Sequence, residues 1–216
     1  MVEKSGDSVW KEAEKDIVLH ENRLNIIESC LDRHAQNTPN KLALHFEDGR
    51  TRTYTYKQLN EQVNRFSNLL NTLKVKPKSK VFIFLPKVPE MYISFLGAIK
   101  HGSIAAPLFE AFQTEGLMLR LNRGDADVLV TNKELLSRLP KDYKKQVPSL
   151  RHILVIDSDE YKKQISSSST AFSPVLMNRL DTALMIFTSS TAGTPVAGVM
   201  IPHQALIQQH ATAKLV

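Results

Sequence analysis

Apolar positions along the chain follow two different periods. In residues 23–34, Leu24, Ile27, Cys30 and Leu31 recur three or four apart, the spacing of one helical face, and the pattern stops near Thr38-Pro39. Cys30, on that face, reads as a core residue. Residues 41–46 and 52–56 instead alternate apolar or aromatic with polar side chains on either side of Glu47-Asp48-Gly49, which predicts a β-hairpin. From Tyr56 the helical period returns. Leu59, Val63, Phe66, Leu70 and Leu73 mark one face, with Leu69 beside it and Thr55 as N-cap.

The pattern then changes to short runs with no polar alternation. These lie at residues 81–85, 104–108, 128–130, 153–156 and 184–187, and such runs suit strands buried on both faces of a parallel sheet. Helical stretches separate them: 89–101, which Pro89 starts and Gly102 ends, then 114–122 and a shorter one at 133–139. Strand, helix, strand is the grammar of an α/β fold with an open, mostly parallel sheet and flanking helices, here preceded by a helix and a β-hairpin. Residues 1–20 show no clear period and are expected to form a loosely ordered arm, leaving 21–216 as the folded domain. The run Ser166-Ser167-Ser168-Ser169-Thr170 reads as a flexible surface loop.

Composition narrows the function classes. Of 216 residues, 42% are hydrophobic and 23% charged, which suits a folded domain and excludes a wholly disordered chain. The single cysteine excludes a disulfide framework and a cysteine-rich zinc site, and the histidines have no metal-ligand spacing, so no protein-held metal is expected. The net charge of +6 is mild. Its densest basic stretches, 74–80 and 141–145, lie beside prolines without interleaved aromatic residues, so they read as solvated surface and no nucleic-acid partner is expected. The N-terminus has no secretory apolar core, and the longest apolar-leaning stretch, 91–99, is too short to cross a membrane. A cytoplasmic protein with no membrane partner is the expectation.

Chemistry concentrates after the last buried run, in Thr188-Ser189-Ser190-Thr191-Ala192-Gly193-Thr194-Pro195. Backbone N–H groups in such a small-residue turn can form a concave nest for phosphate, and the hydroxyls of Thr188, Ser189 and Thr191 can donate to its oxygens. The same composition also suits a solvent-exposed turn. The loop is neither GxxxxGK(S/T) nor GxGxxG.

Residues 187–199, FTSSTAGTPVAGV, resemble the signature loop of the AMP-forming acyl-CoA synthetases, (Y/F)TSG(S/T)TGxPKGV. Upstream, VFIFLP at 81–86, EMY at 90–92, LGAIK at 96–100 and PLFEAF at 107–112 resemble bacterial acetyl-CoA synthetases in particular, as do DRH at 32–34 and Gln208-Gln209. The resemblance runs over residues 10–216. It implies the first part of the large N-terminal domain of the adenylate-forming fold. It also implies small-molecule substrates: ATP with Mg²⁺, a short carboxylate and coenzyme A. The reaction implied is formation of an acyl-adenylate with release of pyrophosphate, then transfer of the acyl group to the thiol.

On that resemblance, Thr188, Ser189, Ser190, Thr191, Ala192 and Gly193 form the phosphate-binding loop, none of them an acid, base or nucleophile. Glu110 becomes a candidate for the acyl or coenzyme A side of the cleft and Arg138 for a coenzyme A phosphate, each weighed against a surface role. His203 matches a histidine that often follows the loop and reads as structural.

The loop departs from the pattern. Ser190 replaces a glycine, Ala192 a threonine and Val196 the lysine, and Ala197 is an added residue. A Cβ where φ is positive costs roughly 1 kcal/mol, and Val196 removes a charge-assisted contact to pyrophosphate. Impaired adenylation is therefore expected. The family's adenine motif, ribose-binding aspartate, hinge and C-terminal domain with its catalytic lysine have no counterpart in these 216 residues. The expectation is an N-terminal fragment that is not competent alone, with a truncated or degenerate paralogue serving as a non-catalytic interaction module as the alternative.

Overall fold

The computed structural model describes residues 6–49, 51–188 and 198–213. Helix α1 (Gly6–Glu14) lies within the segment expected to be a loose arm. Ala13 is fully buried, and α1 rests against the last helix of the chain, which holds the segment in place. A two-residue strand, β1 (Arg23–Leu24), precedes the first amphipathic helix. That helix opens as a π-helical turn, Glu28–Asp32, and continues as α2 (Arg33–Asn37). Leu24, Ile27 and Leu31 are buried as the spacing predicts, whereas Cys30 is exposed. The wider π turn sets Cys30 off the apolar stripe and on the wall of a cavity of about 440 Å³.

The hairpin is β2 (Leu42–Glu47) and β3 (Thr51–Thr55), turned at Gly49 with φ +84°. Thr55 then caps α3 (Tyr56–Thr72): its hydroxyl accepts from Gln58 N–H, and the Gln58 side chain accepts from Thr55 N–H, a capping box.

The α/β portion follows in the predicted order: β4 (Lys80–Ile83), α4 (Pro89–Lys100), β5 (Ile104–Pro107), α5 (Thr114–Arg123) and β6 (Val128–Thr131). The short helices α6 (Lys133–Leu136) and α7 (Tyr143–Gln146) lead to β7 (His152–Val155). Next come α8 (Asp159–Ser167), β8 (Met177–Asn178) and β9 (Thr182–Ile186). The described chain closes with β10 (Val199–Pro202) and α9 (His203–Ala213). Six strands form one sheet in the order β10-β9-β5-β4-β6-β7, parallel except for β10.

Successive strand residues face opposite layers. Val81, Ile83, Val128 and Val130 join the core under α3 and α4, while Phe82 and Leu129 join a second core under α5. Burial on both faces is why these strands carry unbroken apolar runs. Gly102 turns the chain out of α4 at φ +82°, and a Cβ there would meet Val175 at 3.0 Å.

One further expectation changes. The serine run is not loose. Ser166 and Ser167 end α8, Arg65 donates to the carbonyls of Ile165, Ser166 and Ser168, and Asn68 to those of Ser169 and Ala171. Beyond the signature loop a strand, β10, precedes α9, because Val199 to Ile201 pair with β9.

Candidate functional site

β4 sits between β5 and β6, so the chain leaves β4 toward one side and later crosses back to the other. The α4 and α5 crossovers therefore cover opposite faces, which makes the carboxyl ends of β4 and β5 a topological switch point, the usual ligand position in open α/β sheets and called here the crevice. β9 runs parallel to β5, so its carboxyl end opens on the same edge.

The signature loop springs from that edge as the tip of an antiparallel pair. Ile186 opposes Val199 and Met185 opposes Met200, so the two ends of the loop are held side by side. Packing fixes both ends. Phe187 stacks on Phe82 with ring centroids 6.0 Å apart. Gly124 permits this approach, since a Cβ there would stand 2.3 Å from Phe82 Cζ and 3.0 Å from Phe187 Cζ. At the other end, a Cβ on Gly198 would meet Met185 Cγ at 2.4 Å. Thr188 is exposed beyond Phe187. Ser189, Ser190, Thr191, Ala192, Gly193 and Val196 lie outside the described residues.

Glu110 and Arg138 are brought together on this edge, through the main chain. Arg138 donates to the carbonyl of Glu110 and, at 3.0 Å, to that of Phe112. The half-buried Glu110 carboxylate has no hydrogen-bond or ion-pair partner among the described residues. Phe109 is 65% exposed beside it.

His203 begins α9 at the exit of β10. It is fully buried, its Nδ1 accepts from Ile26 N–H at 3.4 Å, and its Nε2 has no partner among the described residues. Burial holds the ring neutral, down to about 4. These contacts dock the base of the loop hairpin onto the helix entered at Ile26, in keeping with a structural reading.

Sequence reasoning missed a buried polar node behind the crevice. Lys100, 1% exposed, pairs with Asp32 and donates to Asn60 Oδ1 at 2.9 Å and Asn64 Oδ1 at 2.5 Å. Burial lowers the ammonium's affinity for its proton and Asp32 restores part of it. The signal was available: Asn60 and Asn64 are four apart on α3, and Lys100 closes the otherwise apolar Leu96-Gly97-Ala98-Ile99.

Among the described residues no group of three or more His, Cys, Asp or Glu is placed to hold a metal ion, and no helix is long and apolar enough to cross a membrane.

The sequence family described as "AMP-binding enzyme" matches residues 31–216. The acetyl-coenzyme A synthetase of Bacillus subtilis is 40% identical over 205 residues, covering 90% of this chain and 35% of that protein. Acetyl-coenzyme A synthetase 1 of Saccharomyces cerevisiae is 34% identical over 145 residues, 62% of this chain and 20% of that one. The crystal structure of Brucella canis acyl-CoA synthetase superposes with a TM-score of 0.78 at 25% identity, over 94% of this chain and 39% of that one. The chain thus spans about a third of the length of the Bacillus relative.

Proposed function

The chain belongs to the AMP-binding enzyme family, and we propose that it is the N-terminal, phosphate-gripping part of an ATP-dependent acetyl- or short-chain acyl-CoA synthetase. The observation that carries this reading is the hairpin at the crevice. Its loop ends are fixed by Phe187 on Phe82 and by Gly198 on Met185, and Thr188 stands exposed between the loop and the carboxyl edge.

The chemistry suits positioning rather than acid–base work. A carboxylate oxygen attacks the α-phosphorus of ATP, pyrophosphate leaves, and the thiol of coenzyme A then displaces AMP from the acyl carbon. Fixed N–H and hydroxyl donors in residues 188–193 would take the charge on the phosphate oxygens. Mg²⁺ would arrive on the phosphates of the nucleotide. A cytoplasmic location, with its pools of ATP and coenzyme A, is part of this reading.

In our reading the loop is weakened by Val196 and the added Ala197. One charge-assisted contact is worth about 1.5–3 kcal/mol, or roughly 10- to 100-fold in affinity. Residues 1–216 carry phosphate and crevice contacts but not the family's adenine motif or catalytic lysine, and by themselves form no acyl-adenylate.

Acetate-dependent ATP–pyrophosphate exchange tests each part. Three proteins are compared: the isolated chain, a chimera carrying residues 1–216 in place of the matching third of the Bacillus enzyme, and the same chimera with Val196→Lys and Ala197 deleted. No exchange, weak exchange and exchange raised at least about tenfold are expected in turn. Exchange by the isolated chain overturns its incompleteness. A repaired chimera no faster than the unrepaired one overturns loop impairment. A folded, repaired chimera with no exchange favours the second reading, a non-catalytic interaction module, which the four departures in the loop support.

A further inference from the structure

We infer that Arg138 is a positioning residue: through one nitrogen, Nη1, its guanidinium fixes the turn after β5 as a wall at the carboxyl edge of the sheet. The inference rests on the proposed function only for what that wall would face.

The arginine is itself held. Asn132 caps α6 by accepting from Leu135 N–H at 2.8 Å, Leu135 is buried, and the Arg138 N–H closes the turn onto Leu135 O at 3.1 Å. From that anchor one nitrogen, Nη1, reaches two carbonyls of the same turn, those of Glu110 and Phe112, while the guanidinium carbon lies 5.9 Å from the Phe84 ring at the end of β4. The side chain therefore ties the segments after β4, β5 and β6 together at the crevice.

Among the described residues, little else fixes the middle of the turn. Leu108 N–H donates to Ile83 O at 2.9 Å at its entrance, and Phe112 N–H to Phe109 O at 3.2 Å across it. Arg120 lies 3.7 Å over the Phe112 ring and donates to Gly116 O, so the exit is pinned to α5. Between these ends stand Phe109, 65% exposed, and the Glu110 carboxylate. Phe109 meets Phe112 edge-on at 5.8 Å, a ring contact that holds it in its outward pose. Removing the two bonds from Arg138 frees the two central carbonyls to rotate, and the phenyl ring with them.

The nine phenylalanines make the readout. The 216-residue chain is labelled with 4-fluorophenylalanine and examined by ¹⁹F NMR, with Phe109 and Phe112 assigned by leucine substitution. Arg138→Met is expected to move both resonances toward the position of the free amino acid, to shift Phe84 only by loss of the neighbouring cation, and to leave the other six in place. Chymotryptic cleavage after Phe109 and Phe112 should rise at least about tenfold, the change in local opening expected when the two bonds from this charged donor are lost. Arg138→Lys keeps a cation that can donate to both carbonyls and is expected to retain the native positions. Unmoved Phe109 and Phe112 resonances in Arg138→Met would overturn the inference, as would movement of all nine with loss of the unfolding transition, which marks a fold-wide role. No substrate enters the measurement, so failure of the exchange assay above leaves this result standing, and the reverse holds too.

Discussion

Acidification from pH 7 to pH 5 should remove about 4 kcal/mol of folding stability through two buried histidines. His101 and His203 are 1% and 0% exposed, and burial holds each ring's pKa down at about 4, against 6.5 for a free imidazole. The His101 ring is wedged between Ser103 Oγ at 2.8 Å and Asn71 Oδ1 at 3.0 Å. A proton on Nδ1 of His203 would also cost the bond from Ile26 N–H. The unfolded chain binds both protons as pH falls through 6.5 and the folded chain does not until about 4. Stability is therefore full above 6.5 and is lost as pH falls across that window. Each histidine is worth about 3 kcal/mol over the whole window and about 2 kcal/mol between pH 7 and 5. His34 and His152 are lowered in the same direction, by burial first. Asp125 and Asp181, held below 3.8 by Lys80 and Lys78, act only at lower pH. The loss is a large part of the roughly 5–15 kcal/mol that a domain has. At about 2–4 °C per kcal/mol it lowers the melting temperature by roughly 8–16 °C. Urea unfolding followed by circular dichroism at pH 7, 6 and 5 gives the slope, and His203→Phe should halve it. A slope near zero in the native chain, or one unchanged in His203→Phe, refutes the reasoning.

Two other substitutions probe the frame behind the crevice. Gly124→Ala drives a methyl group into Phe82 and Phe187 and should cost about 1–3 kcal/mol in the urea midpoint, with exchange of the β9 amides rising before those of β6. Lys100→Met leaves the Asp32 carboxylate buried without its cation and should cost about 3–5 kcal/mol, whereas adding Asp32→Leu should recover part of that loss in a double-mutant cycle.

Element type was legible wherever one local period dominated. The N-cap at Thr55, the proline start of α4 and the unbroken apolar runs each carry their reason within a few residues, and the structure agrees with them to within a few positions. The signature loop was legible as a motif, and its departures at Ser190, Ala192, Val196 and Ala197 are visible in the sequence alone. β1 and β8 were not, because strands of two residues gain their bonds only from a distant partner, as Leu24 does from Met177, and neither was β10, whose half-exposed residues are a strand only through pairing with β9.

The sequence by itself therefore determined the alternation of strands and helices, the two-sided burial of the sheet and the residue types of the loop. These depend on side-chain type at short spacing. Only the tertiary structure decided that Cys30 faces outward, that the serine run is tied to α3, and that Lys100 is neutralised by Asp32. It also decided that one nitrogen of Arg138, Nη1, donates to the main chain of both Glu110 and Phe112. In each case the deciding contact joins residues that are distant in sequence, or follows from a change of helical pitch, and a buried donor, acceptor or charge takes whatever partner the fold brings within reach.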